Sequence, residues 1–161
     1  MKELRQRKRI RLKEYDYSSP GQYYITICVK EKHEVLGEIK GMRANEIGPC
    51  LSEIGAIVEN EILKLSRIYE NIFVDKYIIM PHHIHMIIVL TCGRTQFAPT
   101  VSQVIKQFKG SITKQIGFSI WQRSYFDHII RDKEEYKAIC QYIDTNPLKW
   151  EIDRFYESIE S

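Results

Sequence analysis

No stretch of this chain is apolar for long enough to cross a bilayer, which takes about 20 residues; the longest candidate, Met86 to Leu90, has the size of a strand. The opening MKELRQRKRIRLK is basic and lacks the apolar centre of a secretory signal. A cytoplasmic protein without membrane contact is therefore expected. Cysteine is sparse and scattered. Cys28, Cys50, Cys92 and Cys140 form no Cys-x-x-Cys pair of a structural zinc site, and their even number implies no disulfides without a secretion signal. Buried free thiols are expected. No repeat, low-complexity tract or linker divides the 161 residues, so a single domain at 15–161 is expected behind a basic arm at 1–14. A hydrophobic fraction of 43% beside 28% charged residues excludes disordered, collagen-like and coiled-coil chains.

Net charge is small, 24 Lys+Arg against 21 Asp+Glu for +3, but its distribution is uneven. Lys2, Arg5, Arg7, Lys8, Arg9, Arg11 and Lys13 crowd one end, with only Glu3 and Glu14 among them. Such an arm suits phosphate contacts, and it equally suits a solvated terminus.

Residues 22–30, QYYITICVK, are rich in β-branched and aromatic residues after a Ser-Ser-Pro-Gly turn, and predict a strand. Residues 34–39, EVLGEI, predict its hairpin partner, and Gly41 and 45–49 break the pattern. Leu51, Ile54, Val58, Ile62 and Leu65 recur at helical spacing and predict a helix ending near Ser66. Residues 72–80 and 84–90 predict two strands at the centre of a sheet, joined by a short Pro-containing turn. Val101, Val104, Ile105, Phe108 and Ile112 stripe a second helix whose other face carries Lys106, Lys109 and Lys114. Residues 121–131 predict a strand, and 132–145 a helix packed through Tyr136, Ile139, Cys140 and Ile143. The order gives an α+β sandwich, with helices on a mainly antiparallel sheet.

The densest chemistry is MPHHIHMIIVL at 80–90. Residues two apart on a strand share a face, so His83 and His85 can converge on one divalent ion while Ile84 and Met86 enter the core. His82, out of phase, is expected to be a turn residue facing solvent. A third donor is needed, and Asn146 follows Tyr142 by four residues, over the same face of the last helix. Tyr142 lies beside the packed stripe and is expected to be partly exposed. A phenol beside a metal-bound phosphate suits nucleophilic attack. Mg²⁺ or Mn²⁺ suits phosphate chemistry at such a mixed site, and Zn²⁺ also fits the donors. His128 is expected to pack between strand and helix. Asn146-Pro147 also fits the plain end of a helix, since helices commonly stop before proline.

MPHHIHMIIVL, then WQRSYFDHIIR and EYKAICQYIDTNPLKW, with RKRIRLKEYDYSSPGQYYITICV and GEIKGMRANEIGPCLSEIGAIV earlier, resemble the REP-associated tyrosine transposases, relatives of the HUH-superfamily single-strand transposases. The resemblance runs from about Arg7 to Trp150. On it, the histidine pair falls on His83 and His85, the single nucleophile on Tyr142, and the completing polar ligand on Asn146. His82 departs from the Asn or Glu more frequent there.

The resemblance implies a ferredoxin-like αβ sandwich. It also implies a metal-dependent endonuclease and strand transferase that cuts single-stranded DNA at hairpin-forming palindromic repeats, leaving a 5′-phosphotyrosine. Arg5, Arg7, Lys8, Arg9, Arg11, Lys13, Lys106 and Lys109 would then hold phosphates, and a monomer is favoured over a homodimer. Two other readings are a hairpin-binding protein of this fold without activity, and a histidine-triad nucleotide hydrolase. The latter needs a third histidine where Ile87 stands.

Overall fold

The computed structural model describes residues 20–43, 46–92 and 99–160. The basic arm, with Arg5, Arg7, Lys8, Arg9, Arg11 and Lys13, lies outside the described residues. In chain order the elements are β1 (Gly21–Cys28), β2 (Gly37–Arg43), β3 (Glu46–Leu51), α1 (Glu53–Ile68), β4 (Ile72–Met80), β5 (His83–Leu90), α2 (Val101–Ile116), β6 (Phe126–Ile130) and α3 (Lys133–Glu160).

β1, β4, β5 and β6 form a four-stranded sheet in the order β4-β5-β1-β6, every neighbouring pair antiparallel. Apart from the β2–β3 hairpin and α3, the succession β1-α1-β4-β5-α2-β6 is that of a ferredoxin-like fold. The α+β architecture read from the sequence is borne out.

Alternation along the strands divides the core into two layers. Tyr23, Ile25 and Ile27 of β1 and Ile84, Met86 and Ile88 of β5 face Val58, Ile62 and Leu65 of α1 and the predicted α2 stripe. On the other face, Tyr24, Ile78, Ile87 and Ile130 meet Tyr136, Ile139, Cys140 and Ile143 of α3. Fully burying each aliphatic side chain is worth roughly 1.5–3 kcal/mol, so both helical layers are held mainly by these contacts. α1 begins at Ser52, whose Oγ accepts from the Gly55 N–H at 3.0 Å and donates to the Val35 carbonyl at 2.6 Å. α2 begins in a reciprocal cap between Thr100 and Gln103 and ends at left-handed Gly117.

Several expectations are corrected. Residues 34–39 are not the partner of β1: Glu31 and Lys32, both at positive φ, turn the chain away, and β2 pairs with β3 as a separate ribbon that takes in Gly41 and 46–49. β4 is an edge strand, not central; exposed Asp75 and a bulge between Val74 and Lys76 suit an edge. The strand expected at 121–131 shrinks to β6, preceded by a lone bridge between Val29 and Trp121, because the Gln122 and Ser124 carbonyls accept from the Lys109 ammonium at 2.9 Å each. The four cysteines are free but not buried; Cys50 and Cys92 are exposed, Cys28 and Cys140 half-buried.

α3 does not end at Asn146; it runs through Pro147 to Glu160. An interior proline removes a hydrogen bond and costs about 3 kcal/mol. Here Asn146 and Pro147 are buried beneath the helix and Trp150 packs on the β4–β5 turn, so tertiary contacts carry the helix past it. Among the described residues no helix is long and apolar enough to cross a membrane.

Candidate metal and nucleophile site

Three elements build the site. β5 presents His83 and His85 to the α3 face of the sheet, while Ile84 and Met86 point into the opposite layer, as the two-residue period requires. Their rings lie 4.6 Å apart, edge to face. α3 brings Asn146 into a hydrogen bond with His83, and the Tyr142 ring within 5.5 Å of the His85 ring. β1 lies behind His85: Tyr24 Oη is 2.8 Å and Thr26 Oγ1 2.9 Å from its Nδ1.

His85 is 5% exposed, and its Nε2 is buried without a hydrogen-bond partner. An orphaned buried nitrogen is costly unless something takes its lone pair. Burial holds His85 down to about 4; burial, helped by neighbouring His85 and His82 and opposed by Asn146, holds His83 down to about 3. Both imidazoles are therefore neutral at physiological pH, the form a metal ligand needs. Asn146, 7% exposed, adds an amide oxygen. Among the described residues no group of three His, Cys, Asp or Glu gathers to hold a metal, so the third protein donor to a cation placed between the two imidazoles would be this amide. His83, His85 and Asn146 fit a divalent cation, which would keep oxygen ligands from outside the protein at its remaining positions, as a hard ion prefers.

Tyr142 is 43% exposed, with the Lys149 ammonium 4.9 Å from its ring centroid. Tyr136 is tied down instead: its hydroxyl donates to Asp75, which raises its pKa. Where a histidine triad would need its third histidine, Ile87 is fully buried against Ile130 and Ile143.

No family model matches the chain. An uncharacterized protein of Haemophilus influenzae is 32% identical over an alignment of 175 positions that covers 95% of this chain and 94% of that protein. The chain belongs to one family with it. The REP-associated tyrosine transposase of Escherichia coli is 31% identical over 77 residues, 47% of this chain and 44% of that protein. A solved REP-associated tyrosine transposase bound to a REP hairpin superimposes with a TM-score of 0.63 over 86% of this chain and 74% of that one, at 22% identity, and shares the fold. Over about half its length this chain is similar in sequence to a REP-associated tyrosine transposase, and it shares the fold of another.

Against that relationship, the sequence-predicted residues fall into two groups. His83, His85, Asn146 and Tyr142 are brought together. Lys106 and Lys109 are not: α2 packs on the other face of the sheet. Lys106 is exposed, whereas Lys109 is half-buried, secures the 122–124 loop, and has its pKa lowered by burial. His128 bonds Glu135 at the start of α3, and its side chain stays partly exposed rather than packed between strand and helix.

His82 departs from its expected place in solvent. Its Nδ1 lies 2.9 Å from His83 Nδ1, and its ring packs 4.6 Å from that of Trp150. Tyr24, Thr26, Lys149 and Trp150 were not singled out from the sequence. Tyr24 and Thr26 carried one usable signal, two hydroxyls on one face of a predicted strand; what they back depends on β1–β5 register.

Proposed function

We infer that this protein is a DNA strand-cleaving and rejoining enzyme that acts on single-stranded DNA beside a hairpin, with Tyr142 as nucleophile and His83, His85 and Asn146 as the Mg²⁺ or Mn²⁺ site. The observation that carries this reading is the convergence of a half-exposed phenol with two neutral imidazoles and an amide, one imidazole nitrogen lacking any partner. A protein of the same fold bound to a REP hairpin supports hairpin DNA as the substrate.

The bound cation would neutralise charge on the scissile phosphate. Tyr142 Oη attacks phosphorus and gives up its proton to solvent; the P–O3′ bond breaks and the 3′-oxygen gains a proton. The products are a 5′-phosphotyrosine and a free 3′-hydroxyl. Attack by a 3′-hydroxyl reverses the step, and the retained phosphodiester energy makes ATP unnecessary. Lys149 places positive charge beside the nucleophile, where a phosphate must come. Tyr24, whose pKa burial raises to about 12, stays a neutral hydroxyl partner of His85.

The test is incubation with hairpin-bearing single-stranded DNA and Mg²⁺ or Mn²⁺, followed by a denaturing gel. A covalent protein–DNA band is expected. Hairpin binding without a band at any metal concentration would favour a binding protein and overturn the enzymatic reading.

A further inference from the structure

Each histidine of the proposed metal site has a group of its own facing Nδ1. For His85 these are Thr26 and Tyr24, at 2.9 and 2.8 Å. For His83 it is the Nδ1 of His82, at 2.9 Å. A contact between two imidazole nitrogens holds one proton, so one ring donates and the other accepts. His83 has a second neighbour, the Asn146 side chain, which competes for its proton.

We propose that His82 is a positioning residue that accepts the Nδ1–H of His83, fixing the tautomer in which the His83 Nε2 lone pair is free for a cation. The inference deepens the proposed metal site and rests on it. If His82 donated instead, His83 would hold its proton on Nε2 toward Asn146, and a cation would have to displace it. With His82 as acceptor, His83 Nε2, the orphaned His85 Nε2 and the Asn146 carbonyl oxygen present three lone pairs to one space. Trp150 keeps His82 in register by packing on its ring at 4.6 Å while also lying 6.2 Å from His83. The neighbour of a ligating imidazole orients it and typically sets affinity by roughly 10–100-fold.

Two variants separate the hydrogen bond from the packing. His82→Phe keeps a ring against Trp150 and removes the acceptor. His82→Asn removes the ring and puts a carbonyl oxygen near the place of Nδ1. Binding of Mn²⁺ alone is measured by calorimetry on the full chain, and the imidazole tautomers by long-range ¹H–¹⁵N spectra of the metal-free protein. The expected result is His83 protonated on Nδ1 in the native chain and His82→Asn, a tautomer mixture in His82→Phe, and Mn²⁺ affinity lowered roughly 10-fold or more only in His82→Phe. A native His83 protonated on Nε2 overturns the proposal, as does native-like Mn²⁺ affinity in His82→Phe or an equal loss in His82→Asn. A native chain that binds no Mn²⁺ yet shows the Nδ1 proton, lost in His82→Phe, overturns the metal site instead and upholds the His82–His83 bond.

Discussion

Thr26 and His85 stand directly opposite each other on β1 and β5, and the threonine Oγ1 lies 2.9 Å from the imidazole Nδ1 while Nε2 remains unpartnered. A proton on Nδ1 directed to Thr26 would leave the Nε2 lone pair free for a cation at the proposed site. Thr26→Val keeps the shape and deletes the acceptor, and Tyr24→Phe deletes the second hydroxyl at 2.8 Å. The double variant is expected to lose roughly 10–100-fold in Mn²⁺ affinity with the fold intact, checked by calorimetry beside circular dichroism. Unchanged affinity would remove both hydroxyls from any part in the site.

Tyr142→Phe removes one oxygen from a half-exposed ring and should leave stability and hairpin binding near native. The covalent DNA band should vanish, a loss of several orders of magnitude in rate. A band that persists in the variant would move the nucleophile elsewhere; Tyr136 is committed to Asp75, and Tyr125 is buried in the layer on the opposite face of the sheet. His83→Ala and His85→Ala should each abolish metal-dependent cleavage while retaining the fold; full activity in either would take that histidine out of the cation site.

The parts of this architecture that the sequence revealed are those governed by local periodicity. The Leu51–Leu65 spacing marks α1, and the two-residue period places His83 and His85 on one face and Ile84 and Met86 in the core. Tyr142 and Asn146 were readable as one helix face for the same reason. What was hidden depends on long-range pairing. Nothing local says that β2 prefers β3 to β1, that Thr26 lies behind His85, or that Trp150 of α3 packs against His82. Proline at 147 was a misleading local signal, overridden by the packing of the residues around it.

Glu61, away from the site, is held in a network that bears on the acid response. Burial alone would raise the pKa of Glu61, but Lys64, Gln115 and Ser111 hydrogen-bond its carboxylate, and the net result lies below the ordinary 4.5. A carboxylate whose folded pKa is depressed stabilises the fold in full above its unfolded pKa, and loses that contribution as pH falls through the folded value. Stability should therefore drop as pH falls below about 4.5. Glu61→Gln should cost about 1 kcal/mol at pH 7 and make the acid limb shallower in urea titrations across pH. An identical acid limb in the variant would show that other carboxylates govern it.

Gly55 stands in the first turn of α1, where a Cβ would lie 2.0 Å from the Leu36 carbonyl oxygen. That contact is with backbone, and Leu36 cannot readily retreat: its N–H donates to the Pro81 carbonyl, and its own carbonyl accepts from Ser52 N–H at 3.0 Å. Alanine ordinarily favours a helix over glycine by about 1 kcal/mol. Here the clash should outweigh that preference, because an overpacked site costs typically about 1–3 kcal/mol and this one must displace fixed backbone. Gly55→Ala is expected to lower the urea midpoint, whereas Gly110→Ala, on α2 with open space around its Cβ position, should leave it equal or higher. A Gly55→Ala protein as stable as the native chain would mean that α1 and the segment before β2 pack less closely than 2.0 Å implies. That would also loosen the Pro81 end of the turn from which His82 and His83 reach the site.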